Sequence, residues 1–248
     1  MDQPLQDKTA VITGASSGIG KAMVERFVDA GARVVAFGRN EAGLAALSGR
    51  DDVLTVVGDV NREDDIGRLV EQARQRFGSV DIVVPNAGIA RVIPFEQSTR
   101  AAMAEQFDTN FFGAVETVRA FLPHIHAGGA VLFVTTFLTQ VVFPGLAAYN
   151  ASKAAVKSFA QTLAAELAPR GIRVNSIAPG PIATPLWGTV GLPDDALNEV
   201  AAQINSRLMP QRFGDPGDIA DAAVYLASDR AKFIYGQEIV VDGGYTIG

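Results

Sequence analysis

Short apolar segments alternate with longer amphipathic ones along the whole chain, and this alternation limits the possible folds more than any other feature. The apolar segments are rich in Val and Ile and lack a period-2 polar pattern, which is typical of strands buried on both faces. Repeated strand–helix–strand units form right-handed parallel crossovers. The sequence therefore predicts an α/β fold with a doubly wound, seven-stranded parallel sheet and helices on both faces.

The apolar and amphipathic patterns place the individual elements. Strands are predicted at about 8–13, 32–37, 53–57, 80–84, 130–135, 172–178 and 237–241, and helices at about 18–30, 62–77, 99–126, 149–169 and 216–228. No linker or tandem repeat divides the chain, so we expect one domain over 1–248. The Pro- and Gly-rich stretch at about 179–198 is predicted to be irregular and to form a lid or binding loop, or else a contact between subunits. A substrate loop is expected at about 181–210.

Composition excludes several classes of site. The chain has no cysteine and two histidines, so thiolate chemistry and an imidazole-rich metal site are excluded, and no metal is expected. A net charge of −6 argues against nucleic-acid binding. The start of the chain, Met1 to Pro4, has no leader pattern and no segment is apolar enough to span a membrane, so a cytoplasmic location is expected.

A glycine-rich turn, TGASSGIG at residues 13–20, follows the first strand and opens the first helix. Glycine there permits positive φ and lets backbone N–H groups approach a pyrophosphate at the positive end of the helix. The spacing G-x-x-x-G-x-G differs from the common dinucleotide fingerprint G-x-G-x-x-G. Its position after strand one still favours a dinucleotide site.

Further motifs follow in a fixed order, and together with this turn they resemble the short-chain dehydrogenase/reductase family. They are Asp59-Val60 after strand three, Asn86-Ala87-Gly88 after strand four, Pro179-Gly180 after strand six and Val241-Asp242-Gly243-Gly244 at the last strand. The resemblance covers the whole chain. It implies a Rossmann-type domain that binds a nicotinamide cofactor, with Asp59 and Val60 near the adenine ring.

Tyr149 and Lys153 stand four residues apart in the segment YNASK, so on a helix their side chains face the same way. A carbonyl that accepts hydride must also receive a proton, and a phenol with a pKa of about 10 is a poor donor near neutrality. A nearby ammonium and a positive nicotinamide ring would lower that pKa. The resemblance makes Tyr149 the acid/base and has Lys153 also bind the nicotinamide ribose.

Two more catalytic residues come from the resemblance. Where the family has a serine that orients the substrate oxygen, this chain has Thr136, a departure that keeps the hydroxyl but adds a stiff β-branched methyl. Thr135 or Thr139 could supply the hydroxyl if the segment is shifted. Asn110 matches the helical asparagine that holds a water linked to the lysine.

The end of strand two indicates which nicotinamide is used. An acidic residue there accepts from the ribose 2′-hydroxyl of NAD, whereas a cation accommodates the 2′-phosphate of NADP. This chain has Gly38 at the acidic position, followed by Arg39, so NADP(H) is preferred and NAD(H) is possible, with Ser16, Ser17 or Asn40 as further donors. The full set of expected cofactor-binding residues is Gly14, Ser16, Ser17, Gly18, Ile19, Gly20, Gly38, Arg39, Asn40, Asp59, Val60, Asn86, Ala87, Gly88, Tyr149, Lys153, Pro179, Gly180, Ile182 and Thr184.

The substrate is less defined by the sequence. By resemblance its pocket is walled by Ile89 to Arg91, by Leu138 and Phe143, and by the 181–192 loop; the expected substrate residues are Thr136, Leu138, Tyr149, Leu186 and Trp187. The apolar lining suggests a hydrophobic ketone, aldehyde or secondary alcohol, although Arg91 could bind an acidic group.

These observations favour a carbonyl reductase or alcohol dehydrogenase that acts on a small molecule. A 3-oxoacyl-thioester reductase of the same family and a cofactor-binding regulatory protein without turnover are the alternatives. A sugar-nucleotide epimerase would need a larger C-terminal region than remains here. Family relatives are commonly tetramers, and the apolar helices at 99–126 and 149–169 suit a homotetramer.

Overall fold

The computed structural model describes residues 3–248, so Met1 and Asp2, part of the segment assessed for a leader, lie outside it. The described residues form one seven-stranded sheet in the order β3-β2-β1-β4-β5-β6-β7, and every pairing is parallel. The strands are β1 (Thr9–Thr13), β2 (Arg33–Gly38), β3 (Val53–Val57), β4 (Val80–Val84), β5 (Ile125–Val134), β6 (Arg173–Pro179) and β7 (Glu238–Val241). The prediction of a doubly wound parallel sheet is confirmed.

The described residues contain eight α-helices, which cover both faces of the sheet. They are α1 (Gly18–Asp29), α2 (Glu41–Ala45), α3 (Glu63–Phe77), α4 (Arg100–Phe107), α5 (Gly113–Phe121), α6 (Ala147–Leu167), α7 (Asp194–Arg207) and α8 (Pro216–Ala227). Phe27 of α1 and Ile219 of α8 belong to the core on one face. Leu69 of α3, Phe121 of α5 and Val156 of α6 belong to the core on the other. A sheet covered in this way leaves the carboxyl ends of its strands as the open crevice, at the point between β1 and β4 where the strand order reverses.

The predicted single helix over 99–126 is wrong. The structure interrupts it with a π-helical turn at Asp108–Phe112, and β5 already begins at Ile125. The turn forms where the Asn110 side chain bonds to the backbone of Ile89, a contact that sequence periodicity does not report. The start of β5 was missed because residues 126–128 are exposed and carry no apolar signal.

Two helices fall in segments for which no helix was predicted. Helix α2 has only five residues and contains Gly43, and its Asn40 cap accepts a hydrogen bond from the Gly43 N–H at 3.1 Å. The stretch at 179–198 is not irregular throughout, because it contains a 3₁₀ turn at Pro185–Thr189 and the start of α7. Pro193 precedes α7 and two aspartates occupy its first turn, which is a usual helix start.

Candidate active site

A single cavity of about 610 Å³ runs along the carboxyl ends of the strands and passes the point between β1 and β4. All of the cofactor-binding and substrate residues expected from the sequence line this cavity, from Arg39 at one end to Trp187 at the other. Of the four expected catalytic residues, Thr136, Tyr149 and Lys153 line it as well. Asn110 does not line the cavity and is described below.

The glycine-rich turn is packed too tightly for side chains at two of its positions. A Cβ at Gly20 would lie 2.2 Å from the Gly14 carbonyl oxygen and 2.6 Å from Asn86 Nδ2. Gly14 has a φ of +65°, and a Cβ there would lie 2.8 Å from the Ala87 Cα. These glycines therefore let the turn and the start of α1 pack directly on the segment after β4.

Thr13 and Asn86 fasten the two segments to each other. The Thr13 hydroxyl accepts from the backbone N–H groups of Asn86 and Ala87, both at 3.1 Å, and Asn86 Nδ2 donates to the Thr13 carbonyl at 2.8 Å. The ends of β1 and β4 are thereby held at fixed spacing across the crevice. Asn86 thus braces the floor of the cavity.

The start of α1 fits a nucleotide diphosphate. Ser17 is its N-cap, yet the Ser17 side chain bonds to none of the helix's first N–H groups. Gly18 and Ile19 line the cavity beside it. A helix N-terminus with unbonded N–H groups and positive dipole favours an anion. The donor set is therefore suited to the diphosphate of a dinucleotide.

The far end of the cavity lies between β2 and β3. The Arg39 guanidinium is 3.7 Å from the Asp59 carboxylate, and the Arg39 side chain is 65% exposed. An exposed ion pair of this length contributes about 0–1 kcal/mol, so Arg39 remains free to bind another anion. Helix α2 packs closely against Ser16 at this end of the cavity. A Cβ at Gly43 of this helix would lie only 2.4 Å from the Ser16 carbonyl oxygen. The Asn40 side-chain oxygen caps α2, which leaves its amide N–H₂ as a donor.

Tyr149 and Lys153 lie on α6 with both side chains lining the cavity. Lys153 is 4% exposed, and its ammonium donates to the Val134 carbonyl at 2.8 Å. Burial lowers the pKa of Lys153 to about 8. Because an ammonium has three N–H donors, two remain for a ligand. Such donors suit the hydroxyls of a ribose.

The protein's own groups raise the pKa of Tyr149 and keep its phenol protonated. Burial is the main cause, and hydrogen bonding with Thr136 opposes the rise without reversing it. Lys153 is not among the causes of the shift, so the lowering expected from a nearby ammonium is not seen. The lowering expected from the positive nicotinamide ring stays a prediction.

The three threonines near the end of β5 have different roles. The Thr135 hydroxyl, which has one hydrogen to donate, lies 2.7 Å from Glu238 Oε1 and 3.0 Å from the Ile177 carbonyl oxygen, so it is turned away from Tyr149. The Thr139 hydroxyl donates to the Thr136 carbonyl at 3.2 Å. Only Thr136 has its hydroxyl beside the phenol, where it also accepts from the Leu138 N–H at 3.3 Å.

Glu238 of β7 connects the two elements that carry the site. Its carboxylate accepts from Thr135 and lies 2.5 Å from Lys157 Nζ, in an ion pair that lacks hydrogen-bond geometry. Lys157 is one helical turn beyond Lys153 on α6. The end of β5 and the helix α6 are thereby tied to the same edge strand. Sequence analysis did not find this pair because its members are 81 positions apart in the sequence.

Asn110 lies next to Gly88 without lining the cavity, and both polar atoms of its side chain are hydrogen-bonded. Its Oδ1 accepts from the Ile89 N–H at 2.8 Å, and its Nδ2 donates to the Ile89 carbonyl at 2.9 Å and to Ser152 Oγ at 3.0 Å. A Cβ at Gly88 would lie 3.1 Å from Asn110 Oδ1 and 3.4 Å from Lys153 Nζ. Asn110 thus fixes the strand end against α6. Its expected role in holding a water stays a prediction.

The substrate end of the cavity includes residues that were not singled out in the sequence, although two of them lie within the predicted substrate loop. Val200 and Ile204 of α7 line it, and Tyr245 packs edge-on against Phe137 behind the wall, with ring centroids 5.1 Å apart. The acidic first turn of α7 was the signal for that helix. Tyr245 carried no such signal, because it lies in the C-terminal segment beyond every motif.

Residues 3–248 lack both a cluster of metal ligands and a helix that could span a membrane. No group of three or more His, Asp or Glu side chains within that range is placed to hold a metal ion. Over the same residues, no helix combines the length and apolar character needed to cross a bilayer.

Comparison with known proteins gives matches over nearly the whole chain. A family model described as enoyl-(acyl carrier protein) reductase matches residues 14–246. The cis-4-hydroxycyclohexanecarboxylate dehydrogenase of Sinomonas cyclohexanicum is 36% identical over 253 residues, covering 99% of each chain. The 3beta-hydroxysteroid dehydrogenase 2 of Eggerthella lenta is 36% identical over 252 residues, covering 98% of this chain and 96% of that one.

Solved structures agree with this result. A short-chain dehydrogenase/reductase from Brucella melitensis, described as a glucose/ribitol dehydrogenase, superposes with a TM-score of 0.92 at 30% identity and full coverage of both chains. A 3-ketoacyl-(acyl-carrier-protein) reductase from the same organism, solved in complex with NADH, has a TM-score of 0.89 at 34% identity, covering 98% of this chain and 100% of that one.

Proposed function

The chain belongs to the short-chain dehydrogenase/reductase family of nicotinamide-dependent oxidoreductases, and from this premise we propose that it reduces a ketone, or oxidises the matching secondary alcohol. The observation that carries the proposal is that the Tyr149 phenol, the buried Lys153 ammonium and the Thr136 hydroxyl line one cavity with a glycine-rich helix start. Acid/base work on a carbonyl needs this set of groups.

Each of the three residues has its own role in the proposed reaction. Tyr149 donates its phenolic proton to the substrate oxygen during reduction and removes it during oxidation. Thr136 binds the same oxygen and fixes its direction. Lys153 holds the nicotinamide ribose and stabilises the phenolate left after proton transfer. The bound nicotinamide supplies or accepts the hydride.

The proposal is tested by following a labelled hydride. Purified protein is incubated with NADPH carrying deuterium at the nicotinamide C4, on each face in turn, and with a panel of ketones. One of the two labels should be found on the carbinol carbon of the alcohol product, as measured by mass spectrometry. If neither label is transferred to any ketone, and NADH gives the same result, the chain is a binding protein without turnover.

We further propose NADP(H) as the preferred cofactor, with NAD(H) as a weaker one. Gly38 leaves the space at the end of β2 open, since a Cβ there would lie no closer than 3.4 Å to Ser16 Oγ. Arg39, held only by an exposed ion pair, can turn to a 2′-phosphate. These two residues support the preference.

Exchanging the charge at Arg39 should reverse the cofactor preference. In Arg39→Asp the ratio of kcat/KM for NADPH to that for NADH should fall at least about 100-fold, since attraction of the phosphate becomes repulsion. Arg62→Asp is the control, because Arg62 also forms an exposed 3.7 Å ion pair but does not line the cavity. An unchanged ratio in Arg39→Asp would contradict the assignment.

Thr136 can be tested with two substitutions of similar size. Thr136→Val keeps the shape but removes the hydroxyl, so kcat for ketone reduction should fall about 10- to 100-fold. Thr136→Ser keeps the hydroxyl and should remain within about 3-fold of the wild type. Steady-state kinetics measure both, and a fully active valine variant would remove Thr136 from the mechanism.

The class of reaction has support from relatives, while the substrate stays a proposal. The names of two relatives describe a hydroxyl group carried on a ring, which favours a secondary alcohol. The similarity to a 3-ketoacyl-(acyl-carrier-protein) reductase keeps thioester reduction as a second candidate. The combination of Tyr149, Lys153 and Thr136 in one cavity weighs against a regulatory protein without turnover.

We also propose that the chain forms a homotetramer. Phe112 between α4 and α5 and Ile239 on the edge strand β7 are large apolar side chains exposed on different elements, as an assembly of two kinds of interface would need. The expected cytoplasmic location stays a prediction.

A further inference from the structure

The end of the cavity beyond Tyr149 is more apolar than the end expected to bind the cofactor. It is enclosed by apolar side chains from the turn after β5, from the loop before α7 and from α7 itself. Leu138, Phe143, Leu186, Val190, Val200 and Ile204 are among them. None of these side chains can satisfy a polar or charged ligand group.

Trp187 and Thr189, two polar residues of the surrounding loop, use their side-chain donors within the protein. Trp187 Nε1 donates to the Ile182 carbonyl at 2.8 Å, which turns the indole N–H away from a ligand. The Thr189 hydroxyl donates to the Leu186 carbonyl at 2.8 Å. Each group holds the 3₁₀ turn in place, so neither is offered to a substrate.

Arg91 is the cation at this end, and the NH1 side of its guanidinium is hydrogen-bonded within the protein. Its NH1 donates to the Thr189 carbonyl at 2.9 Å and to the Ala90 carbonyl at 3.2 Å, and its NH2 lies 3.6 Å from Glu105. The neighbouring Val92 N–H donates to the Val190 carbonyl at 2.8 Å. Arg91 therefore fastens the loop to the segment after β4, and Glu105 balances its charge.

Apart from Arg91, whose charge is paired with Glu105, the described side chains that line this end offer a ligand the hydroxyls of Thr136 and Tyr149. We infer that the substrate is an uncharged, largely apolar ketone or secondary alcohol whose reacting oxygen takes the hydrogen bonds of these two hydroxyls. A carboxylate in this end would lose water and would have to compete with Glu105 for Arg91, which is unfavourable. This inference rests on the proposed function and narrows its substrate class.

The test uses two ketones that differ in charge and little in shape, methyl 4-acetylbenzoate and 4-acetylbenzoate, with NADPH at pH 7. The ester should have a kcat/KM at least about 100-fold higher than the acid. Equal turnover of the two, or preference for the acid, would overturn the inference and leave the proposed function standing. Failure of both, together with all other ketones, would remove the proposed function and this inference with it.

Arg91→Met separates the two roles that Arg91 could have. If Arg91 only fastens the loop, its loss changes both ketones alike, so the ester-to-acid ratio of kcat/KM stays within about 3-fold of the wild type. If Arg91 instead binds a substrate carboxylate, the acid alone loses turnover and the ratio rises at least about 10-fold. The second result would contradict the inference.

Discussion

Replacing Tyr149 by phenylalanine should lower kcat for ketone reduction by about 10²- to 10⁴-fold, the range that a positioned general acid contributes. The phenol contacts Thr136 at the substrate end, so its loss should leave the dissociation constant for NADPH within about 3-fold of the wild type. Stopped-flow kinetics and a fluorescence titration with NADPH measure the two quantities.

Tyr225→Phe provides the matched control for this variant. Tyr225 lies on α8, is exposed and does not line the cavity, so removing its hydroxyl should leave turnover unchanged. Retention of turnover in Tyr149→Phe would show that another group transfers the proton. Loss of NADPH binding together with turnover would show that the substitution damages the cofactor site instead.

Replacing Lys153 by methionine should remove activity and yet stabilise the protein. Burial lowers the pKa of Lys153 from 10.5 to about 8, so the folded protein disfavours the ammonium that the unfolded chain carries readily. Between about pH 8 and 10.5 the side chain of Lys153 is more protonated in the unfolded state than in the folded state. Lys153 therefore makes the free energy of unfolding rise with pH across that window. Below about pH 8 its buried ammonium destabilises the fold. At pH 7 we expect Lys153→Met to raise the free energy of unfolding by about 1–3 kcal/mol.

The expected loss of kcat/KM in Lys153→Met is about 100-fold or more, because the ribose loses its donor and the phenolate its neighbouring charge. Lys157→Met is the control on the same helix. It leaves the buried carboxylate of Glu238 unpaired and should therefore lower stability. Chemical denaturation measures both changes, and destabilisation by Lys153→Met would contradict the account of its buried charge.

The same pKa predicts a pH dependence. In the wild type the ammonium of Lys153 is present below about pH 8 and is lost as the pH rises through that value. The kcat/KM for reduction should therefore fall on the alkaline side with an apparent pKa near 8, while the phenol remains protonated. The pH profile of the wild type measures this alkaline limb.

The sheet could be predicted from the sequence because its inner strands, such as β1 and β6, are buried on both faces and therefore read as continuous apolar runs. Helix α2 could not, since a five-residue helix with an internal glycine is held by its Asn40 cap and by its contact with Ser16. The break in the helix at Asp108–Phe112 also escaped prediction. Its cause is a side chain bonded to Ile89, 21 residues away.

The sequence predicts those parts of the candidate site that lie in short motifs, such as Tyr149 and Lys153 on one turn of a helix. Contacts between distant segments were not foreseen. The sequence allowed Arg91 to bind a substrate acid, and only the structure shows its hydrogen bond to the Thr189 carbonyl, 98 residues away. The sequence also led us to expect that Lys153 lowers the pKa of Tyr149, whereas burial of the phenol raises it, and motif spacing does not report burial.

The most direct test of the central claim is a crystal structure of the protein in complex with NADP⁺. We expect the diphosphate at the start of α1, the nicotinamide ribose within hydrogen-bonding distance of Lys153 Nζ, and the Tyr149 hydroxyl facing the nicotinamide ring. A cofactor bound elsewhere or in the reverse orientation, or a phenol turned away from the ring, would contradict the account.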